Sequence, residues 1–199
     1  MYSKHFRPWE TAALLALCLM LLSGTWASSR QQSVASELIR LHVIAVSDAQ
    51  QEQDLKLRVR DAVLAYLRPL LSSAEDARTA RALLEQALPG VAEAAEEVSE
   101  GRSVSVSLGP ENYPFRSYGV FRLPAGRYES LRVTLGEGRG HNWWCVVFPS
   151  LCLEAVERED LQEVLQGEDY ALVTGEGGYS LRFWLVDAWG KLMNAVHSR

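Results

Sequence analysis

The chain has no surplus of positive charge: 20 Lys and Arg stand against 25 Asp and Glu, a formal net charge of −5. A general nucleic-acid binder needs basic surface to neutralise phosphate, so the balance argues against that class and gives no pull toward anionic lipid. Cysteine is scarce, at three residues. No second pair of ligands with metal-like spacing accompanies Cys145 and Cys152, so the zinc pattern is missing. The segment GEGRG at 136–140 lacks the Lys-Ser/Thr ending of a phosphate-binding loop, and no helix signal follows it. Internal repeats and low-complexity stretches are absent. With no cofactor or metal motif, none is expected. The longest apolar run, Thr11 to Leu22, falls short of the roughly 20 residues that cross a bilayer comfortably.

What is there is a chain of 199 residues, 48% hydrophobic, enough for one core. Its first segment has a character of its own. Lys4, His5 and Arg7 precede the apolar run; Ser23, Gly24, Thr25, Trp26 and Ala27 follow it. This is the order of a secretory signal, with cleavage expected before Ser28. Two readings stand: a signal peptide of residues 1–27 that is removed, or an N-terminal anchor that stays. Both export the rest. Cys18 follows Leu17 inside the run, which does not fit a lipoprotein. Residues 28–36, SSRQQSVAS, read as a tether, and 37–199 as a single globular domain.

After processing, Cys145 and Cys152 remain, with six residues between them. In an oxidising compartment such a pair is a disulfide candidate. Two buried free thiols are the competing reading, because free Cys is among the most buried residue types.

Along the domain, ELIRLHVIAVSD from Glu37 predicts a short apolar strand ending at Ser47-Asp48. From Asp54 to Leu70, Leu55, Val59, Val63, Tyr66 and Leu70 recur at helical spacing, and Pro69 closes the last turn. A second helical pattern runs from about Ala74 to Leu88, with Pro89-Gly90 as its break. A third, acidic stretch reaches Ser99. SVSVSL at 103–108, YGVFRL at 118–123, RYESLRVTL at 127–135 and WWCVVF at 143–148 predict strands, with GEGRG as a hairpin connection. Short helices are predicted at 157–166 and from about Leu181 to His197. The fold class is α+β: an N-terminal strand and two or three helices, then a mainly antiparallel sheet and a C-terminal helix.

The blocks RLHVIAVSD, LKLRVRDAVL, SYGVFRLPAGRYESLRVTLGEGRG and NWWCVVFPSLC, in that order through residues 38–152, resemble the stage II sporulation protein R family. The resemblance implies a protein made in the forespore and exported into the space between forespore and mother cell. There it would switch on a membrane-embedded aspartic protease, which then processes pro-sigma-E. It implies no catalytic residue. Membrane contact would come only through an uncleaved N-terminal segment.

The matching blocks concentrate at Leu123–Arg127 and Gly136–Asn142. Loops on rigid strands often carry binding, so Arg139, His141, Asn142 and Trp143 are the expected partner-binding residues. A second reading uses Cys145 and His141 as the nucleophile and base of an exported cysteine-type hydrolase acting on cell-wall material. His42 reads as a satisfied core or edge histidine, Arg58 and Arg60 beside Asp61 as helix-surface charge, and Asp48 as turn chemistry. Trp184 and Trp189 on a C-terminal helix read as packing against the sheet, because a membrane-surface helix would have few cations nearby.

Overall fold

The computed structural model describes residues 7–118 and 121–149, with 173, 174, 188 and 191. Helix α1 spans Pro8–Ser36 and strand β1 spans Ile39–Ile44; α2 is Gln50–Leu71 and α3 is Ala77–Glu97. Then come β2 (Val104–Tyr113), β3 (Arg116–Tyr118), β4 (Phe121–Leu123), β5 (Gly126–Leu135) and β6 (Asn142–Phe148). The class is α+β. The four-stranded sheet has the order β2-β5-β1-β6; β3 and β4 form a separate pair. β1 runs parallel to β5, while β6 on β1 and β2 on β5 are antiparallel. The segment 118–123 is therefore not one strand: it joins two short strands of a separate ribbon.

Alternation along β1 sorts its side chains. Ile39, Leu41 and Val43 face α2 and α3, meeting Leu55, Val59, Val63, Leu84 and Val91 in the larger core. As a central strand β1 is covered on its other face too, where Arg40 and His42 are buried. That second face carries a smaller core of Val34, Leu38, Tyr113, Phe121, Leu123, Tyr128, Val146 and Val173.

Three further expectations change. Pro89-Gly90 does not divide two helices, because α3 runs through both residues. Asp76 caps its start, accepting from the Thr79 N–H at 2.6 Å. Gly90 serves contact with α2 instead: a Cβ there would lie 2.1 Å from Tyr66 Oη. Residues 28–36, expected as a tether, are the last turns of α1. They fold because Val34 and Ala35 are buried against the second face. The third change concerns GEGRG. It is no hairpin, since β5 and β6 are not neighbours: β1 lies between them. The segment straps across the end of β1 instead. The N–H of Arg139 donates to the Val46 carbonyl at 3.2 Å, and that of Gly140 to the Ala45 carbonyl at 2.9 Å.

α1 is long and apolar enough to cross a membrane. It continues as helix through the expected scission point at Ala27-Ser28. Gly24 is buried and Trp26 packs against the smaller core. Apart from Ala188 and Lys191, both helical, the predicted C-terminal helix lies outside the described residues, as do the segment 157–166, Cys152, Trp184 and Trp189.

Candidate functional site

The strap places three of the four expected contact residues together. Glycines at 136 and 138, with φ of 55° and 61°, turn the chain where a side chain would be strained. At Gly140 the strap lies so close to β1 that a Cβ would sit 2.4 Å from the Ser47 carbonyl oxygen. The descending chain then meets Asp48. One carboxylate oxygen of Asp48 accepts the His141 N–H at 2.6 Å and lies 2.5 Å from His141 Nδ1. Hydrogen bonding from His141 holds the Asp48 carboxyl below its ordinary range. From α2, Lys56 donates to the His141 carbonyl at 3.0 Å and to Gln53 Oε1 at 2.6 Å. Desolvation lowers the Lys56 ammonium below the usual lysine range. Asp48, read as local turn chemistry, is thus a clamp across the sheet end.

A solvent-facing cleft of about 280 Å³ results, lined by Asp48, Arg116, Arg139, Gly140, His141, Asn142 and Trp144. The Arg139 and His141 side chains are each 78% exposed. Arg139 pairs with Glu137 at 2.5 Å. Trp143 does not join the cleft. It lies opposite Val43 and packs against the larger core, with the Arg60 guanidinium 4.9 Å from its ring centroid. Arg60 also bonds Asp61, while Arg58 reaches Glu100. The cleft takes Trp144 instead, with Arg116 stacked 4.0 Å above its ring. Alternation along β6 explains the exchange: adjacent tryptophans point to opposite faces.

Behind Trp144 lies a polar network that sequence reasoning missed. His42 Nδ1 lies 2.9 Å from Glu111 Oε1, which also accepts from Arg132. Ser130 Oγ donates to Glu111 Oε2 at 2.9 Å, and Tyr113 Oη lies 2.6 Å from the same Oγ. Burial opposes ionisation of Glu111, but the bonds from His42, Arg132 and Ser130 outweigh it and hold the carboxyl at about 2. Next to it, Arg40 is wholly buried, its guanidinium 3.8 Å from the Tyr113 ring centroid and 4.9 Å from that of Tyr128. Its Nη2 donates to Tyr118 Oη at 2.5 Å. Burial raises the phenols of Tyr113 and Tyr118. His42 is half satisfied, since its buried Nε2 has no hydrogen-bond partner. The signal for this network was the alternation of Arg40 and His42 within an apolar strand.

The hydrolase pairing finds no support in this geometry. His141 engages Asp48 at the surface, whereas Cys145 is buried in β6. Among the described residues no cluster of three or more His, Cys, Asp or Glu could hold a metal. A larger hollow of about 700 Å³ lies between the end of α1, the start of α3 and β5. It contains none of the expected contact residues, and its Arg81 and Glu129 pair at 2.8 Å.

The family model described as Stage II sporulation protein R matches residues 35–158. A curated relative, "Stage II sporulation protein R" of Bacillus subtilis (strain 168), is 32% identical over 175 residues, covering 77% of this chain and 78% of the relative. No solved structure matches. The family match takes in every strand of the sheet, the strap and the whole lining of the cleft. By sequence similarity of this extent, the chain belongs to the stage II sporulation protein R family.

Proposed function

We propose that the chain is an exported signalling protein that activates a membrane-embedded aspartic protease, so that the protease processes pro-sigma-E during sporulation. Family membership supports the sporulation role, and the apolar α1 is compatible with a signal segment or an anchor. In this reading the folded part lies in the space between forespore and mother cell, free or held by α1. The chain acts as a ligand and not as a hydrolase.

The observation that carries the reading is the cleft. Its polar walls are exposed, yet they are fixed to a four-stranded sheet by the Asp48–His141 clamp. Pre-set side chains lose little freedom on binding, which favours a contact surface. Arg139, His141 and Asn142 touch the protease, together with Arg116 stacked on Trp144; Trp143 supports them from behind.

The test is reconstitution of the full chain with the protease and its pro-protein substrate in membranes. Arg139→Ala with Asn142→Ala leaves stability within about 0.5 kcal/mol, as exposed positions do. Cleavage of the pro-protein falls at least tenfold, on the order of a lost contact hot spot. Wild-type cleavage by the folded double variant would place the contact surface elsewhere.

A further inference from the structure

Among the described residues, β2 uses only one side of its backbone. Just before the strand, the Gly136 N–H donates to the Ser103 carbonyl at 2.8 Å, and the register continues from Val104 opposite Leu135 to Tyr113 opposite Gly126 without a bulge. In an antiparallel ladder, hydrogen-bonded and non-hydrogen-bonded pairs alternate. Ser105, Ser107 and Gly109 therefore aim their N–H and C=O groups at β5. Val104, Val106 and Leu108 aim theirs away from it. Pro110 agrees independently: having no N–H, it sits at an outward position where the ladder needs none. β2 is an edge of the sheet, and its outward backbone groups meet no strand among the described residues.

Edges of this kind are normally blunted by charge, by a bulge or by a covering element. Here SVSVSLGP, from Ser103 to Pro110, contains no charged residue in a chain that is 23% charged. Ser105 and Ser107 are exposed; Val104, Val106 and Leu108 are half-buried against the larger core. The stretch Val104-Ser105-Val106-Ser107-Leu108 is also nearly palindromic about Val106.

We propose that β2 is the interface between two copies of this chain, paired antiparallel about a two-fold axis through Val106. In that register Val106 faces the partner's Val106, and Val104 faces the partner's Leu108. Within Val104–Leu108 every outward-facing residue then meets an outward-facing residue, and each such pair exchanges both of its main-chain bonds; Pro110, which has no N–H to donate, lies beyond the paired stretch. Ser105 stands opposite the partner's Ser107, so no like charges meet. A self-complementary patch is what a two-fold interface requires. The near-palindrome favours a second copy over an unrelated extended peptide, which would need no symmetry in β2. The proposal stands apart from the protease reading.

The experiment is sedimentation of the full chain in detergent micelles across a concentration series. Wild type forms a dimer. Ser105→Glu with Ser107→Glu sets glutamates opposite one another twice and weakens the dimer about tenfold or more. Ser105→Lys with Ser107→Glu sets Lys opposite Glu twice and returns the affinity to within about threefold of wild type. Ser105→Arg with Ser107→Arg is a second like-charge variant and behaves as the glutamate pair does. Far-UV spectra and melting check that each variant folds, and at least one like-charge pair is expected to, because both serines are exposed. A wild-type chain that stays monomeric throughout overturns the proposal. So does a dimer indifferent to like charges, which would join through α1 or another surface, and so does a Lys/Glu pair that fails to restore it.

Discussion

Asp48, at the end of the turn after β1, holds both the backbone N–H and the ring Nδ1 of His141, a residue 93 positions away in sequence. This contact fixes where the strap leaves the sheet and so sets the cleft. Asp48→Ala therefore speeds hydrogen exchange at the His141 amide, on the order of tenfold, while the core amides of β1 and β5 stay protected. Protease activation falls in parallel. Because the Asp48 carboxyl lies below its ordinary 3.8, the clamp is present above that pH and loosens as pH falls below it. A His141 amide equally protected in both proteins would remove the clamp from the account.

Gly140 makes the second prediction. Its missing side chain lets the strap touch backbone: a Cβ would meet Ser47 O at 2.4 Å, Ser47 C at 2.6 Å and Ala45 Cβ at 2.9 Å. Main chain gives way less easily than a side-chain tip. Gly140→Ala costs about 1–3 kcal/mol, the range for overpacking a close contact, and lifts the His141–Asn142 wall of the cleft. Denaturant midpoints and activation measured on one preparation check both effects. A variant as stable and as active as wild type would mean that the strap tolerates displacement.

The elements were largely legible in the sequence because period is local. Alternation found β2, short strand-like runs gave β5 and β6, and the three-four spacing of Leu55, Val59 and Val63 found α2. Failures came where a residue's role depended on a distant neighbour. Pro89-Gly90 looks like a break, yet Gly90 makes room for Tyr66 on another helix. GEGRG looks like a hairpin because nothing in it shows that β1 occupies the place beside β5. Glu111 and His42 are 69 positions apart, and neither carries a mark of the other. Of the expected contact residues, the cleft brings together Arg139, His141 and Asn142, and it is lined by Trp144 where Trp143 was expected. Counting alternation from Val43 and His42 across to β6 was the missing step.

The Glu111 network gives a pH prediction. Its carboxyl is held at about 2 against an ordinary 4.5, and its side chain is only 15% exposed. A depressed carboxylate stabilises the fold fully above the unfolded value and loses that contribution as pH falls through the folded one. Wild type therefore loses stability between about pH 4.5 and pH 2, by up to about 3 kcal/mol from this group. Glu111→Gln is less stable at neutral pH by about 1–3 kcal/mol, the cost of a weakened buried bond, and its profile is flatter through the acid window. Urea midpoints at several pH values compare the two. Parallel profiles would show that Glu111 does not dominate the acid response.

The last prediction concerns Cys145 and separates a structural thiol from a catalytic one. Cys145 is 6% exposed in β6, opposite Leu41 of β1. A hydrolase nucleophile must be reachable and poised as thiolate near a base, and His141 is engaged with Asp48 instead. A bond to Cys152 suits the burial and the short spacing, and an exported chain meets the oxidising conditions that form one. We predict a Cys145–Cys152 disulfide in exported protein. Its intact mass is then two hydrogens below the reduced value. Alkylation without reductant modifies neither cysteine, although Cys18, exposed on α1, reacts if α1 is retained. Closing so short a loop stabilises by about 2–3 kcal/mol through the unfolded state, so Cys145→Ser and Cys152→Ser lower the melting temperature alike, and the double variant is no worse than either. Activation by the folded Cys145→Ser variant persists, because Cys145 is not among the residues that line the cleft. Rapid alkylation of Cys145 in unreduced protein, with loss of activity, would instead revive the hydrolase reading.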